Sequence, residues 1–404
     1  QVPSRLKPLH LQTQFPTQVL VMPVALSSPE AGLACLIFSM GCMGSWPALM
    51  KWCTLSRRSS SHIFLDYATG NFMMIALSSM TLGQFGNTRD DPSFFSQLNQ
   101  LNKTWPSVLF AICGGALLMA GNLSLQVALE LGVSMGVVLP LQSALCVILS
   151  TTVNYSLQPE KTDLGLLLAA LFFFLAAIVL SICAEVQYKS DLEKKTLVNL
   201  QGMEDHLCSS QGTQDPSTTG GQILNLTAHP QGKVRRIVVG IGVSFLGGFC
   251  FGFFSPAFNI AVNDQFHWVA KDVPKLTVWT ANFFFGLSFF MFAYLANISR
   301  LSAASDASLA SNLACYCADS KQRGLAALSG MICAVANTAQ FLGGSAAGFA
   351  ACDLVQAFPL VGIVWGVVLF GEFQDAGSRV KAFLGALYVA YIVAVALLML
   401  SVKE

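Results

Sequence analysis

Nearly everything between Gly324 and Phe373 is apolar or small, so the few residues there that could do chemistry stand out. Asn337, Thr338 and Gln340 share one apolar run, Asp353 and Gln356 share the next, and Glu372 closes it. An amide side chain offers an acceptor and two donors, so several together can hydrogen-bond a polar solute. A carboxyl inside an apolar run is expensive to keep charged, and it can instead carry a proton or meet a partner. Asp353, with no Lys or Arg beside it in sequence, is the first candidate for proton coupling. Glu372 is the second, although its place at the end of a run suits a structural anchor better. A plainer reading stands beside these: amides in membrane helices often bond across helices and hold the bundle together. Asp353 could likewise be tied to a helix end or a small-residue turn.

Other chemistries lack their residues. The histidines (His10, His62, His206, His229, His267) are expected in tails or loops, which leaves no imidazole relay inside an apolar run. The chain has 12 cysteines but no CxxC pair, and the lone CxC at Cys315 and Cys317 has no counterpart, so buried or inert thiols are expected. No HExxH or GxxxxGK[ST] occurs. No catalytic residue, metal or cofactor is therefore expected, and the chain does not read as an enzyme.

The elements that must position these residues follow from composition. Hydrophobic residues make up 54% and charged residues 11%, against about 25% charged in a soluble domain. A net charge of +1 with no basic stripe argues against nucleic acid as a partner. Apolar runs of about 20 residues recur along the chain, each long enough to cross a bilayer as a helix. The expected fold is all-α: a polytopic membrane protein of about ten transmembrane helices in two inverted five-helix repeats. Residues 1–30 form a poorly ordered N-terminal segment, 31–184 the first five-helix repeat, 185–235 a hydrophilic cytoplasmic connector that lacks apolar periodicity and is expected to be largely disordered, and 236–404 the second repeat. Pro47 should kink or end the first span, and Phe172 to Phe174 should face lipid. Lys and Arg collect in the loops after the odd-numbered spans, which places those loops in the cytoplasm.

The repeat reading rests on paired features. Asn122 and Gln126 in one half match Asn337 and Gln340 in the other, and each pair is followed by a span with a central proline, Pro140 or Pro359. WPAL near the end of the first span has a partner in SPAF of the sixth. An odd number of spans per half makes the halves antiparallel, and such folds hold their substrate near the midplane between the repeats.

The stretches GSWPALMKW, FLDYATGN, TLGQFG, GNLSLQVAL, FFSPAFNIAVNDQFH, VPKL and AQFLGGSAAGFAACDLVQAFPLVGIVWGVVLFGEF resemble the ureide permease family of plants and algae, within the drug/metabolite transporter superfamily. The resemblance covers about residues 31–184 and 235–400. Phe349 stands where that family commonly has Tyr, and Ala336 where Gly is expected. The resemblance implies import of allantoin and related oxo-derivatives of nitrogen heterocycles, such as uracil and purine breakdown products, coupled to protons. It makes the plasma membrane the expected site. For such a small, flat, neutral substrate the residues to watch are Asn122, Gln126, Asn337, Gln340, Gln356 and Trp46, as amide edges and an aromatic face. The alternative within transport is a superfamily exporter or exchanger for another small metabolite.

Overall fold

Charge-poor apolar runs become long helices because lipid leaves each backbone amide to be satisfied within its own segment. The computed structural model describes residues 28–54, 58–85, 91–131, 133, 135–210, 230–304, 308–374 and 376–403. Before the connector lie α1 (Pro29–Thr54), α2 (Ser60–Thr81), the short α3 (Phe94–Leu98), α4 (Leu101–Glu130), α5 (Met135–Leu157) and α6 (Leu164–Ser210). After it come α7 (Pro230–Asn263), α8 (Val278–Ala304), α9 (Leu309–Ala318) and α10 (Arg323–Ala347). A 3-10 helix, Phe349–Ala357, then leads into α11 (Pro359–Phe370), and α12 (Ser378–Ser401) ends the bundle. The described residues contain no strand, only an isolated bridge between Thr162 and Val402.

Eight of these helices are long and apolar enough to cross a membrane: α1, α4, α6, α7, α8, α10, the stretch Phe349–Phe370 and α12. The chain is therefore an integral, multi-pass membrane protein of the all-α class. The remaining two expected spans, α2 and α5, have 22 and 23 residues and pack among the eight without being counted with them. Exposed apolar side chains such as Phe245, Leu246 and Phe249 on α7, and Val389 and Ile392 on α12, suit contact with lipid.

Of the two outcomes expected at Pro47, an end to the helix is excluded, since α1 runs on to Thr54. Two further local expectations need correction. The connector was expected to lack regular structure from residue 185, yet α6 continues to Ser210. The sequence there, SDLEKKTLVNL, is rich in straight-chain helix formers, which explains the continuation. Of the Phe172–Phe174 run, Phe172 points outward, whereas Phe174 is buried with its ring 6.0 Å from that of Tyr391.

Packing joins helices from either side of the connector. Helix α1 lies on α10 and α7 on α4; α2 runs between α10 and α8, and α8 also lies on α4. Helix α6 pairs with α12. Two of these crossings rest on glycine. A Cβ on Gly330 of α10 would strike the Tyr67 carbonyl of α2, and one on Gly115 of α4 would strike the Phe285 carbonyl of α8. Small residues at such points let backbones approach closely where no hydrophobic force drives helices together. Between them sits a core of phenylalanines in which Phe258 and Phe341 stack with centroids 3.6 Å apart and planes at 5°. Phe285 meets Phe341 edge-on at 5.1 Å.

Candidate functional site

Residues from α1, α2, α4, α8 and α10 meet in an aromatic cluster lined by amides. The Trp46 ring centroid is 5.1 Å from that of Tyr67, and Phe64 and Phe289 flank the same tyrosine at 5.3 and 6.2 Å. The Tyr67 hydroxyl donates to the Cys333 Sγ at 3.0 Å, and Asn337 Nδ2 reaches that sulfur at 3.7 Å. Trp46 Nε1 is turned to the Met43 Sδ at 3.2 Å. Met119 of α4 closes the cluster. One turn further along α4, Asn122 is buried and donates to the carbonyl of Leu118 at 2.8 Å. Ala293 of α8 also belongs to the cluster, and Asn297, four residues on, donates to its carbonyl at 2.9 Å. The Asn297 Oδ1 is buried and has no hydrogen-bond partner among the described residues. Aromatic faces beside amide edges suit a flat molecule with alternating donors and acceptors.

Asp353 lies apart from that cluster, in the 3-10 helix, buried against α5 and α7. Thr151 Oγ1 donates to its Oδ2 at 2.6 Å. From there a ladder of side chains, buried as far as Asn259 and half-buried at Asn263, runs between α5 and α7. Asn154 Nδ2 lies 3.2 Å from both Ser150 Oγ and Ser255 Oγ, Asn259 Nδ2 donates to Asn154 Oδ1 at 3.1 Å, and Asn263 Nδ2 donates to Asn259 Oδ1 at 2.7 Å. The amide donors in this chain point toward the carboxyl end of the ladder. Gln340 is buried on the neighbouring turn of α10, its backbone carbonyl accepting from the Cys352 thiol at 3.5 Å. Gln356 is half-buried in the same 3-10 helix as Asp353.

A third network is charged. Arg58 Nη1 lies 2.6 Å from Asp66 Oδ2, and both side chains are almost fully buried, at 1% and 3% exposure. The Arg58 Nε donates to Asp319 Oδ2 at 2.9 Å, and His62 Nδ1 lies 2.8 Å from that same oxygen. The Tyr316 hydroxyl donates to Asp66 Oδ1 at 2.6 Å, and Arg323 Nε approaches that oxygen at 3.2 Å. The His62 hydrogen bond, with Arg58 acting against an opposing effect of burial, holds the Asp319 carboxyl down to about 2. Burial, followed by the bond to Asp66, pushes the Tyr316 phenol well above its ordinary range.

The expected residues thus separate. Trp46 and Asn337 come together, with Asn122 on the adjoining turn of α4. Gln126 does not join them: its Oε1 accepts from Arg300, which also pairs with Glu130 at the end of α4. Glu372 pairs with Lys51 near the ends of α11 and α1, which favours the anchoring role over a buried carrier. His62 is not in a loop but in the first turn of α2, and it is buried. Sequence reasoning passed over Tyr67, Cys333, Asn297, Asn154, Asn259, Asn263 and the Arg58 network. Two pairs carried a signal, because His62 and Asp66 in α2 are four residues apart, as are Asn259 and Asn263 in α7, and that spacing places side chains on one helical face.

Known proteins share this sequence over nearly its whole length. Ureide permease 5 of Arabidopsis thaliana is 36% identical, across 94% of this chain and 96% of its own. Ureide permease 1 of the same plant is 34% identical, across 93% and 98%. The sequence profile of the ureide permease family matches residues 63–401, which takes in the aromatic cluster from Phe64 onward, the Asp353 ladder and most of the charged network. The chain belongs to the ureide permease family of membrane transporters.

Proposed function

We propose that this chain imports ureides such as allantoin, and related oxo-derivatives of nitrogen heterocycles including uracil and purine breakdown products, across the plasma membrane with protons. Family membership over nearly the full length carries the transport reading. The substrate class draws support from the Trp46, Tyr67 and Asn337 cluster, which offers stacking faces and neutral hydrogen-bonding edges without a buried charge. Asn122 and Asn297 border that cluster and extend the amide edge. Asp353 is the proposed proton carrier, because it is a buried carboxyl held by the Thr151 hydroxyl with no basic group bonded to it among the described residues.

The architecture that goes with this reading has ten spans in two inverted halves, with α2 and α5 as the additional spans and the connector in the cytoplasm. Exchanging α1 with α7, α2 with α8 and α4 with α10 turns one set of packing partners into the other, which supports the repeat. Uptake of labelled allantoin and uracil by cells expressing the chain tests the whole proposal. Uptake should rise at mildly acid pH and collapse with a protonophore, and Asp353→Asn should abolish the pH dependence. A well-inserted protein that moves neither solute overturns the substrate assignment. Uptake indifferent to the protonophore overturns the role of Asp353.

A further inference from the structure

The Arg58 network joins helices from the two sides of the connector, and no step assigned so far uses it. Arg58 lies just ahead of α2 and His62 and Asp66 within it, while Tyr316 comes from α9, Asp319 caps that helix and Arg323 starts α10. Besides the contacts already given, Arg58 Nη2 donates to the Asp319 carbonyl at 2.8 Å, Arg323 Nη2 donates to that carbonyl at 3.0 Å, and the Arg323 guanidinium lies over the Tyr316 ring at 5.0 Å. Directly beside it, Cys53 of α1, Ile63 of α2 and Ala326 of α10 pack as a buried apolar plug. Three helix ends are therefore tied at one point by two layers, one charged and one apolar.

A buried ion pair is an inefficient way to hold helices together. The desolvation of both charges offsets much of their attraction, and apolar residues of equal volume often do as well or better. The same weakness suits a contact that must open and close. When the helices part, Arg58, Asp66, Asp319 and Arg323 regain their hydration, so the open arrangement recovers most of what the closed one gained. Two arrangements of similar free energy are what an alternating transporter requires at each end of its path. An apolar plug alone would bias the equilibrium to the closed side.

We propose that Arg58, His62, Asp66, Asp319 and Arg323 form an ionic gate, with the Cys53, Ile63 and Ala326 plug beneath it, that closes one end of the transport path. The gate rests on the transport reading but not on the identity of the solute. Asp319 is the linchpin, because Arg58, His62 and Arg323 all converge on it, through its carboxylate or its backbone carbonyl.

The test is the rate at which a small membrane-permeant maleimide labels Cys53 in membranes containing the full chain, with the Cys53→Ser chain giving the background of the other cysteines. Asp319 is partly exposed and outside the spans, so its replacement should leave insertion intact. Asp319→Asn should raise Cys53 labelling several-fold and lower uptake at unchanged protein level, whereas Asp319→Glu, which keeps the charge, should stay near the unaltered rate. Equal rates for Asp319→Asn and the unaltered chain overturn the gate. So does an increase as large in Asp319→Glu as in Asp319→Asn, which would report local damage. Faster labelling in Asp319→Asn from a chain that takes up neither allantoin nor uracil supports the gate while removing the proposed solutes.

Discussion

At the end of the bundle where α2 and α10 begin, helices are tied to one another by charge: Arg58 to Asp66 and Asp319, Arg323 to Asp66, Arg300 to Glu130, and Lys51 to Glu372. At the opposite end, where α2 stops and α8 starts, polar groups close backbone instead. Gln97 takes the Lys275 carbonyl at 2.7 Å and the Thr277 amide at 3.0 Å. Asp264 accepts from the amides of Trp268 and Val269, at 3.0 and 3.2 Å, and Lys275 and Lys161 donate to carbonyls rather than to carboxylates. The inter-helix ion pairs named above gather at the first end. Capped backbone fixes the shape of a loop, because opening it strands groups that lipid cannot satisfy. Charged pairs that water can reach when the helices part are separable. One end is therefore built to hold its form, and the other to change it.

The largest effect expected from breaking this contrast is at Arg58. Arg58→Ala leaves Asp66 buried without its main partner, and a stranded buried charge costs about 3–5 kcal/mol. Thermal unfolding of the detergent-solubilised protein should show that loss together with loss of uptake, and a shift no larger than that of an exposed pair would refute the burial argument. Asn259→Ala cuts the ladder in its middle and leaves Asn154 and Asn263 each short of a partner, at about 1–3 kcal/mol. Its signature is altered pH dependence of uptake with Cys53 labelling unchanged; a change in labelling would mean the ladder and the charged end are not separate devices. Gln97→Ala at the capped end should cost about 1 kcal/mol of stability. It should leave Cys53 labelling unaltered, and faster labelling there would erase the distinction between the ends.

Smaller effects sharpen the same contrast. Lys51→Gln removes a half-exposed pair worth about 0–1 kcal/mol, so stability should scarcely move. The last expectation is an absence of change with pH. The Asp319 carboxyl is lowered from 3.8 to about 2, so its pairing contributes fully above the unfolded value and is lost only as pH falls through about 2. Between about pH 5 and pH 8 acidification should not open the gate, since the Asp319 carboxylate keeps its charge throughout that range. Cys53 labelling, normalised to denatured protein at each pH, should not rise over that range; a rise would show that a group other than Asp319 controls it.

Hydropathy alone was enough to read helices, membrane and much of the order of elements, because each apolar run carries its own signal. The candidate site was legible where chemistry was local. Asn337 and Asp353 are conspicuous in their apolar surroundings, and Trp46 and Asn122 lie where the cluster forms. Gln126 was read without its partner, because nothing near it in sequence announces Arg300, 174 residues away. Arg58 and Asp319 are 261 residues apart, and only the crossing of α2 with α10 brings them together. A charge in a short loop reads as orientation signal until its partner is known. His62 misled for a different reason, since one turn of helix decides whether a residue at a loop edge is wet or buried.

The nine residues from Phe349 to Ala357 that carry Asp353 are wound more tightly than the α-helices around them. A 3-10 helix rises about 2.0 Å per residue and an α-helix 1.5 Å, so this segment is about 18 Å long where an α-helix would be about 13.5 Å. Rewinding it would shorten it by about 4.5 Å without breaking the chain or adding a residue. Pro359 blocks that change from spreading into α11, because its ring already fixes the first turn there. A change of winding there would act as a stroke of that length, anchored at the proline and carrying the Asp353 carboxyl with it.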